Sequence, residues 1–149
     1  MSLAAVVGKT QMPDGREAGA LAARMAVDQL GRNPIIQGFI FASHHLALQQ
    51  VLSGASALLG DAPLLGFSTS SEITSSGQQN HSVVVALLNG NDAVSRSDWQ
   101  GGFSEDSRSV TQKLIQALQL DNNEGTLLIV ADGFNGDAKE MCAVLPDGN

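Results

Sequence analysis

The sequence is short of cysteine: Cys142 stands alone in 149 residues, so no disulfide can close within one chain and no thiolate cluster can gather a metal. That usage suits a reducing cytoplasm, the expected location. Basic residues are also scarce, eight against fifteen acidic for a formal charge of −7, and no stripe of Lys or Arg could displace counterions from phosphates. Nucleic acid is therefore not an expected partner. Long hydrophobic runs are missing too. The stretch from Val83 to Leu88 falls far short of the ~20 residues of a membrane span, and the N-terminal residues lack the basic and apolar regions of a secretory leader. No membrane partner is expected. Neither an internal repeat nor a low-complexity tract interrupts the chain.

What is present belongs to a globular protein. Apolar residues make up 43 % and charged residues 15 %, so much of the surface must be covered by Ser, Gln, Asn and Gly. A chain of this length hides roughly two thirds of its unfolded surface and can carry its own core. Met1, Ser2 and Leu3 read as an expression scar, leaving residues 4–149 as the domain. The final LPDGN is made of turn residues, so the expectation is a single domain or a truncated part of a larger two-part fold.

The order of elements follows from periodicity and punctuation. AAVV, 4–7, is a candidate first strand. Asp14 with Glu17 starts a helix in the capping-box manner, Ala18, Leu21, Ala22, Met25 and Ala26 recur at helical spacing, and Gly31 and Pro34 end it. IIQGFIFAS, 35–43, is apolar nearly throughout, as expected of a strand covered by helices on both faces. Leu48, Val51, Leu52 and Ala55 mark a second helix, closed by Gly60, and PLLGFS returns as a strand. Right-handed crossovers then make these three strands parallel. SVVVALL, 82–88, is expected antiparallel to the third strand after an irregular loop, DAVSRSDW, 92–99, as a polar edge strand, and TLLIVADG, 126–133, as a last central strand. Ser104 with Glu105 and Asp106 begins a helix carrying Val110, Leu114, Ala117 and Leu118, and AKEMCAVL, 138–145, a closing one. The predicted fold class is α/β, a mixed, mostly parallel sheet flanked by helices.

In that arrangement Phe41 to Ser43, Phe67 to Glu72 and Ala131 to Gly133 end along one edge of the sheet, where open α/β sheets bind ligands. Ser43, Ser68, Thr69, Ser70, Ser71, Glu72 and Asp132 would face one cleft. Hydroxyls and backbone amides there suit a carboxylate, and the two acids suit an ammonium group, together a zwitterion. A plainer reading stands beside it: Thr69 and Glu72 also match the S/T-x-x-E cap, and serine-rich turns satisfy backbone groups. GFSTS, 66–70, resembles a nucleophile elbow at Ser68, but Ser70 replaces the second glycine, and the only later histidine is His81. A serine hydrolase therefore remains an alternative, as does a structural or protein-interaction module. His44 and His45 are adjacent, about 100° apart on a helix, and do not form a chelating pair. Trp99 reads as a core or edge-capping residue ahead of a stacking platform.

IIQGFIFAS, LLGFSTSSEI, a strand of the SVVVALL type, a capped helix and LLIVADGFNGD, in that order, resemble the N-terminal part of the FIST domain family over residues 4–145. Phe41, Ala42 and Ser43 match its first motif; Gly66, Ser68, Thr69, Glu72 and Ile73 match its second. Ser71 stands where that pattern usually has glycine. The resemblance implies a sensory module of a signal-transduction protein, binding a small ligand such as an amino acid. It implies a partner in the remaining C-terminal half or a signalling domain. The expected protein is thus a small-molecule sensor rather than an enzyme, with no cofactor and no metal. Its ligand would contact Phe41, Ser43, Gly66, Ser68 to Glu72 and Asp132, and an uncovered apolar face would allow a homodimer.

Overall fold

The structure, a computed structural model, describes residues 3–120 and 125–145. The chain runs β1 (Leu3–Thr10), α1 (Gly15–Leu30), β2 (Gln37–Ser43), α2 (Leu48–Leu59), β3 (Leu64–Thr69), β4 (Glu72–Thr74), β5 (Gly77–Gln79), β6 (Val83–Gly90), α3 (Ser107–Leu118) and α4 (Ala138–Cys142). It falls into two compact units, Met1–Ser95 and Arg96–Asn149.

In the first unit, Asp14 precedes α1 in extended backbone, and its carboxylate accepts the Glu17 amide at 2.9 Å. One of the donors a helix leaves free at its start is thereby satisfied. Ala18, Ala22, Ala23 and Ala26 are fully buried, a face of small residues that lets α1 lie close to its neighbours. Against α2 the approach is backbone to backbone. A Cβ at Gly19 would stand 2.1 Å from the Val51 carbonyl oxygen, and one at Gly54 2.0 Å from that of Arg16. Each helix uses a glycine to admit the other.

The strand order is β1-β6-β2-β3. β2 and β3 are parallel, while β6 is antiparallel to both β1 and β2. The sheet is mixed as expected, but the mostly parallel expectation is corrected: its pairings are mainly antiparallel. β1, β2 and β3 do share one direction, and β6 runs against them. Its place is the surprise, since it inserts between β1 and β2 instead of pairing beside β3. Val83, Val85 and Leu87 are fully buried, so the most apolar strand takes a central position, where both of its edges are also hydrogen-bonded.

Alternation divides the two faces of this sheet. Ile40 and Ala42 pair with Val85 and Val83 on the face where Val51, Ala55 and Leu59 of α2 and the alanines of α1 complete the core. Phe39 and Phe41 belong to the other face, where Phe67 stacks against both, at 6.5 and 5.3 Å between ring centroids. The expectation of helices on both faces of β2 is thus corrected for this unit. Both crossovers advance toward the same side of the sheet, and right-handed connections that advance one way place their helices on one face.

In the second unit, Asp106 caps α3 by accepting the Ser109 amide at 2.9 Å, and Asp137 caps α4 through the amides of Lys139 and Glu140. Arg108 and Glu140 pair at 3.1 Å, both about half exposed, a contact of little stabilising weight. The expected strands at 92–99 and 126–133 are not formed. TLLIV has strand-forming residues, but a strand is stable only on a ladder. The described residues of the second unit contain no strand for it to join, and Leu128 is 66 % exposed. Among the described residues no helix is long and apolar enough to cross a membrane.

The backbone contact between α1 and α2 is open to test. Gly19→Ala or Gly54→Ala should force the helices apart and destabilise the protein by about 3 kcal/mol, the upper end for overpacking, read as a lowered midpoint in denaturant titration with unchanged slope.

Candidate functional site at the carboxyl end of β2

The insertion of β6 dictates what lies over the end of β2. After β3 the chain must pass β2 to reach its slot beside β1, and it does so as a small antiparallel hairpin, with Glu72 opposite Gln79 and Thr74 opposite Gly77. Gly77, at φ 99°, supplies a turn conformation that a side chain would strain. Lys9 of β1 donates to the Thr74 hydroxyl at 3.3 Å, and the Gln11 side-chain amide donates to the Asn80 carbonyl at 3.0 Å. The hairpin is therefore tied to β1 as well.

Glu72 is the keystone of this crossing. Its Oε1 accepts the Thr69 hydroxyl from the end of β3, and its Oε2 accepts the Ser82 hydroxyl just before β6. Only 4 % of Glu72 is exposed, and Ser82 is fully buried. The T-x-x-E pattern is thus not a helix cap: no helix follows Thr69, and the two side chains bond each other within a turn between strands. Below them the Ser43 amide donates to the Ser82 carbonyl at 3.0 Å, and the His44 amide donates to the Thr69 carbonyl at 3.0 Å. Ser43 is fully buried, yet among the described residues its hydroxyl has no hydrogen-bond partner. Leaving a buried polar group unsatisfied costs about 1–3 kcal/mol, so this hydroxyl calls for an explanation.

The other residues singled out in the sequence are distributed unevenly. Phe41 joins the stacked rings on the open face. Ser68 and Ser70 are exposed, and Ser71 is half-buried. Gly66 is exposed, with open space where a Cβ would stand. Among the described residues no hydrogen bond joins Ser68 to an imidazole; the His44 ring nitrogen Nδ1 instead lies 3.2 Å from the Thr69 carbonyl oxygen. Asp132 belongs to the second unit and lies on an irregular segment. Its carboxylate accepts the Phe134 and Asn135 amides and the Asn135 side chain at 2.8 Å, and those bonds hold its pKa below the usual carboxylate value.

Ser82 was not singled out in the sequence as a site residue, and His81 was weighed only as a triad partner for Ser68. Both stand immediately before the most apolar run of the chain. Their meeting with Ser43, Thr69 and His45 depends on β6 lying beside β2, a long-range pairing with no local signal. The rings of His44 and His45 are 3.9 Å apart between centroids, and those of His45 and His81 4.4 Å. His45 is the central ring: partial loss of hydration, then the charges of His44 and His81, push its pKa below 6.5.

In comparison with protein families, the model of the FIST N domain matches residues 37–148, starting at the first residue of β2. No curated protein matches the chain.

Two outcomes follow from this geometry. Glu72→Gln leaves an amide NH2 facing a hydroxyl that needs an acceptor, and should lower stability by about 1.5–3 kcal/mol in chemical denaturation. For His45 the folded pKa lies below the unfolded value, so the unfolded chain binds more protons in that window. Stability is then fully present above about pH 6.5 and declines as the pH falls through 6.5 toward the folded pKa. Thermal melts across this range should show the decline, and His45→Asn should flatten it.

Proposed function

The chain belongs to the FIST N domain family, a sensory family linked to signal transduction, and from that premise we propose that it binds a small molecule at the carboxyl end of β2 and β3. The observation that carries this reading is the buried Ser43 hydroxyl, without a partner among the described residues, beneath a cover closed by Glu72. A protein core ordinarily satisfies such a group with protein or water, and a ligand atom answers the same need.

The proposed ligand is a free amino acid or a similar zwitterion. Its ammonium group would exchange for the hydroxyl donors now held by Glu72, and its carboxylate would meet backbone and hydroxyl donors in the Ser68 to Ser71 segment at the rim. Phe41 and Gly66 would border it on either side of the sheet. Asp132 is not needed in this reading. Since Ser43, Ser82 and Glu72 are closed off from solvent, entry requires the β4–β5 hairpin to move, and that displacement is the signal a partner domain would read.

A thermal-shift screen of the intact protein against free amino acids and related zwitterions tests it. At a hundredfold excess over Kd a true ligand adds about 2.7 kcal/mol, a plain rise in Tm. Ser43→Ala should be neutral or stabilising without ligand, because it removes an unsatisfied group, and should lose the ligand response. If the variant is less stable and keeps its response, the hydroxyl is structural and the reading fails. A panel without a single shift overturns it equally.

A further inference from the structure

We infer that His44, His45 and His81 form a binding site for a compact anion, a carboxylate or a phosphate group, at the rim of this strand end. The inference rests on the ligand-site reading above and extends it: the imidazoles join the Ser68 to Ser71 donors in meeting the ligand's negative charge. Its basis is the convergence of three imidazoles from two chain segments, in series at 3.9 and 4.4 Å between ring centroids.

Their positions are fixed by the fold. His44 continues β2 and is held to β3 through its amide and the Thr69 carbonyl. His81 links the hairpin to β6 and adopts φ 54°, a conformation that is uncommon outside glycine and is kept only where the surroundings enforce it. His45 lies between them. All three rings are exposed, so an ion from solvent can reach them.

The electrostatics of the rim are one-sided. None of the three imidazoles forms an ion pair among the described residues. Glu72 of β4 is the acid of this strand end, and it is buried with both oxygens already accepting hydroxyls. On β1, Lys9 adds another positive charge through its contact with Thr74. The first turn of α2, which starts just after His45, carries no acidic residue, and Ala47 provides no side-chain cap; beside it Asp14, whose carboxylate already caps α1, and the cation Arg16 share a surface hollow with Gln49 and Gln50. Three like bases packed together repel one another once protonated. A compact anion removes the repulsion and accepts up to three N–H donors, and its binding is therefore coupled to proton uptake.

The test follows the carbon-bound imidazole protons by NMR across pH, on the full chain, with acetate, with inorganic phosphate and with chloride at equal ionic strength. The expected result is that acetate or phosphate raises the titration midpoints of the cluster by about one unit over chloride, a tenfold gain in proton affinity. Acetate alone would assign a carboxylate site, phosphate alone a phosphoryl site. His81→Asn, which tolerates the left-handed backbone, should abolish the anion effect on His45 while the protein stays folded. The inference is overturned if neither anion moves the midpoints beyond chloride, or if they move equally in His81→Asn. Neither probe carries an ammonium group, so a screen without zwitterion hits would leave this result standing. Conversely, a metabolite response with unmoved imidazoles would sink only the anion site.

Discussion

The insertion of β6 between β1 and β2 is the constraint from which the first unit follows. Burying the side chains of Val83, Val85 and Leu87 is worth about 1.5–3 kcal/mol each, and a central slot buries them fully. Reaching that slot requires a longer connection than a return beside β3 would, but doubling a loop costs only about 0.6 kcal/mol in closure entropy. Burial therefore wins. The consequence is geometric: the connection has to run over the carboxyl end of β2, where the Ser43 and His44 amides donate to the Ser82 and Thr69 carbonyls. The side chains of Glu72, Thr69 and Ser82 satisfy one another in the layer above.

The same insertion fixes where the helices go. With β6 supplied from later in the chain, the earlier strands advance in one direction only, and α1 and α2 share a face. No reversal of strand order occurs among β1, β2 and β3, so the crevice that a doubly wound sheet opens at such a reversal does not form between them. What lies over this edge instead is the β4–β5 hairpin, and the proposed site depends on it.

Local chemistry was legible in the sequence and long-range partnership was not. Asp14, Glu17 and Gly31 bracket α1 because caps act within a turn of themselves. The strands ending at Ser43 and Thr69 and their common direction follow from apolar runs separated by helices. The Thr69–Glu72 relation was visible as a spacing, though it was equally compatible with a helix cap. Strand order was invisible, since periodicity says that SVVVALL is buried and nothing about beside which neighbours. The role of Ser82 and the neighbours of His81 were missed for that reason. TLLIV failed in the opposite way: strand propensity was present and a ladder was not.

A closed site suits a sensor if its closure is weak enough for a ligand to reverse. Two hydroxyl bonds to the Glu72 carboxylate hold the hairpin over β2, and bonds to a charged acceptor contribute about 1.5–3 kcal/mol each. The unsatisfied Ser43 hydroxyl opposes closure by about 1–3 kcal/mol. From these groups alone the balance favouring the closed form is a few kcal/mol, to which the Lys9–Thr74 and Gln11–Asn80 bonds add. A micromolar ligand brings about 8 kcal/mol, enough to open the hairpin and retain measurable affinity. If Ser43 were satisfied by a protein partner, the opposing term would vanish and closure would deepen. In the proposed reading the orphan hydroxyl therefore acts on the balance as well as on recognition, keeping the crossing close to the point where a small molecule would decide its position.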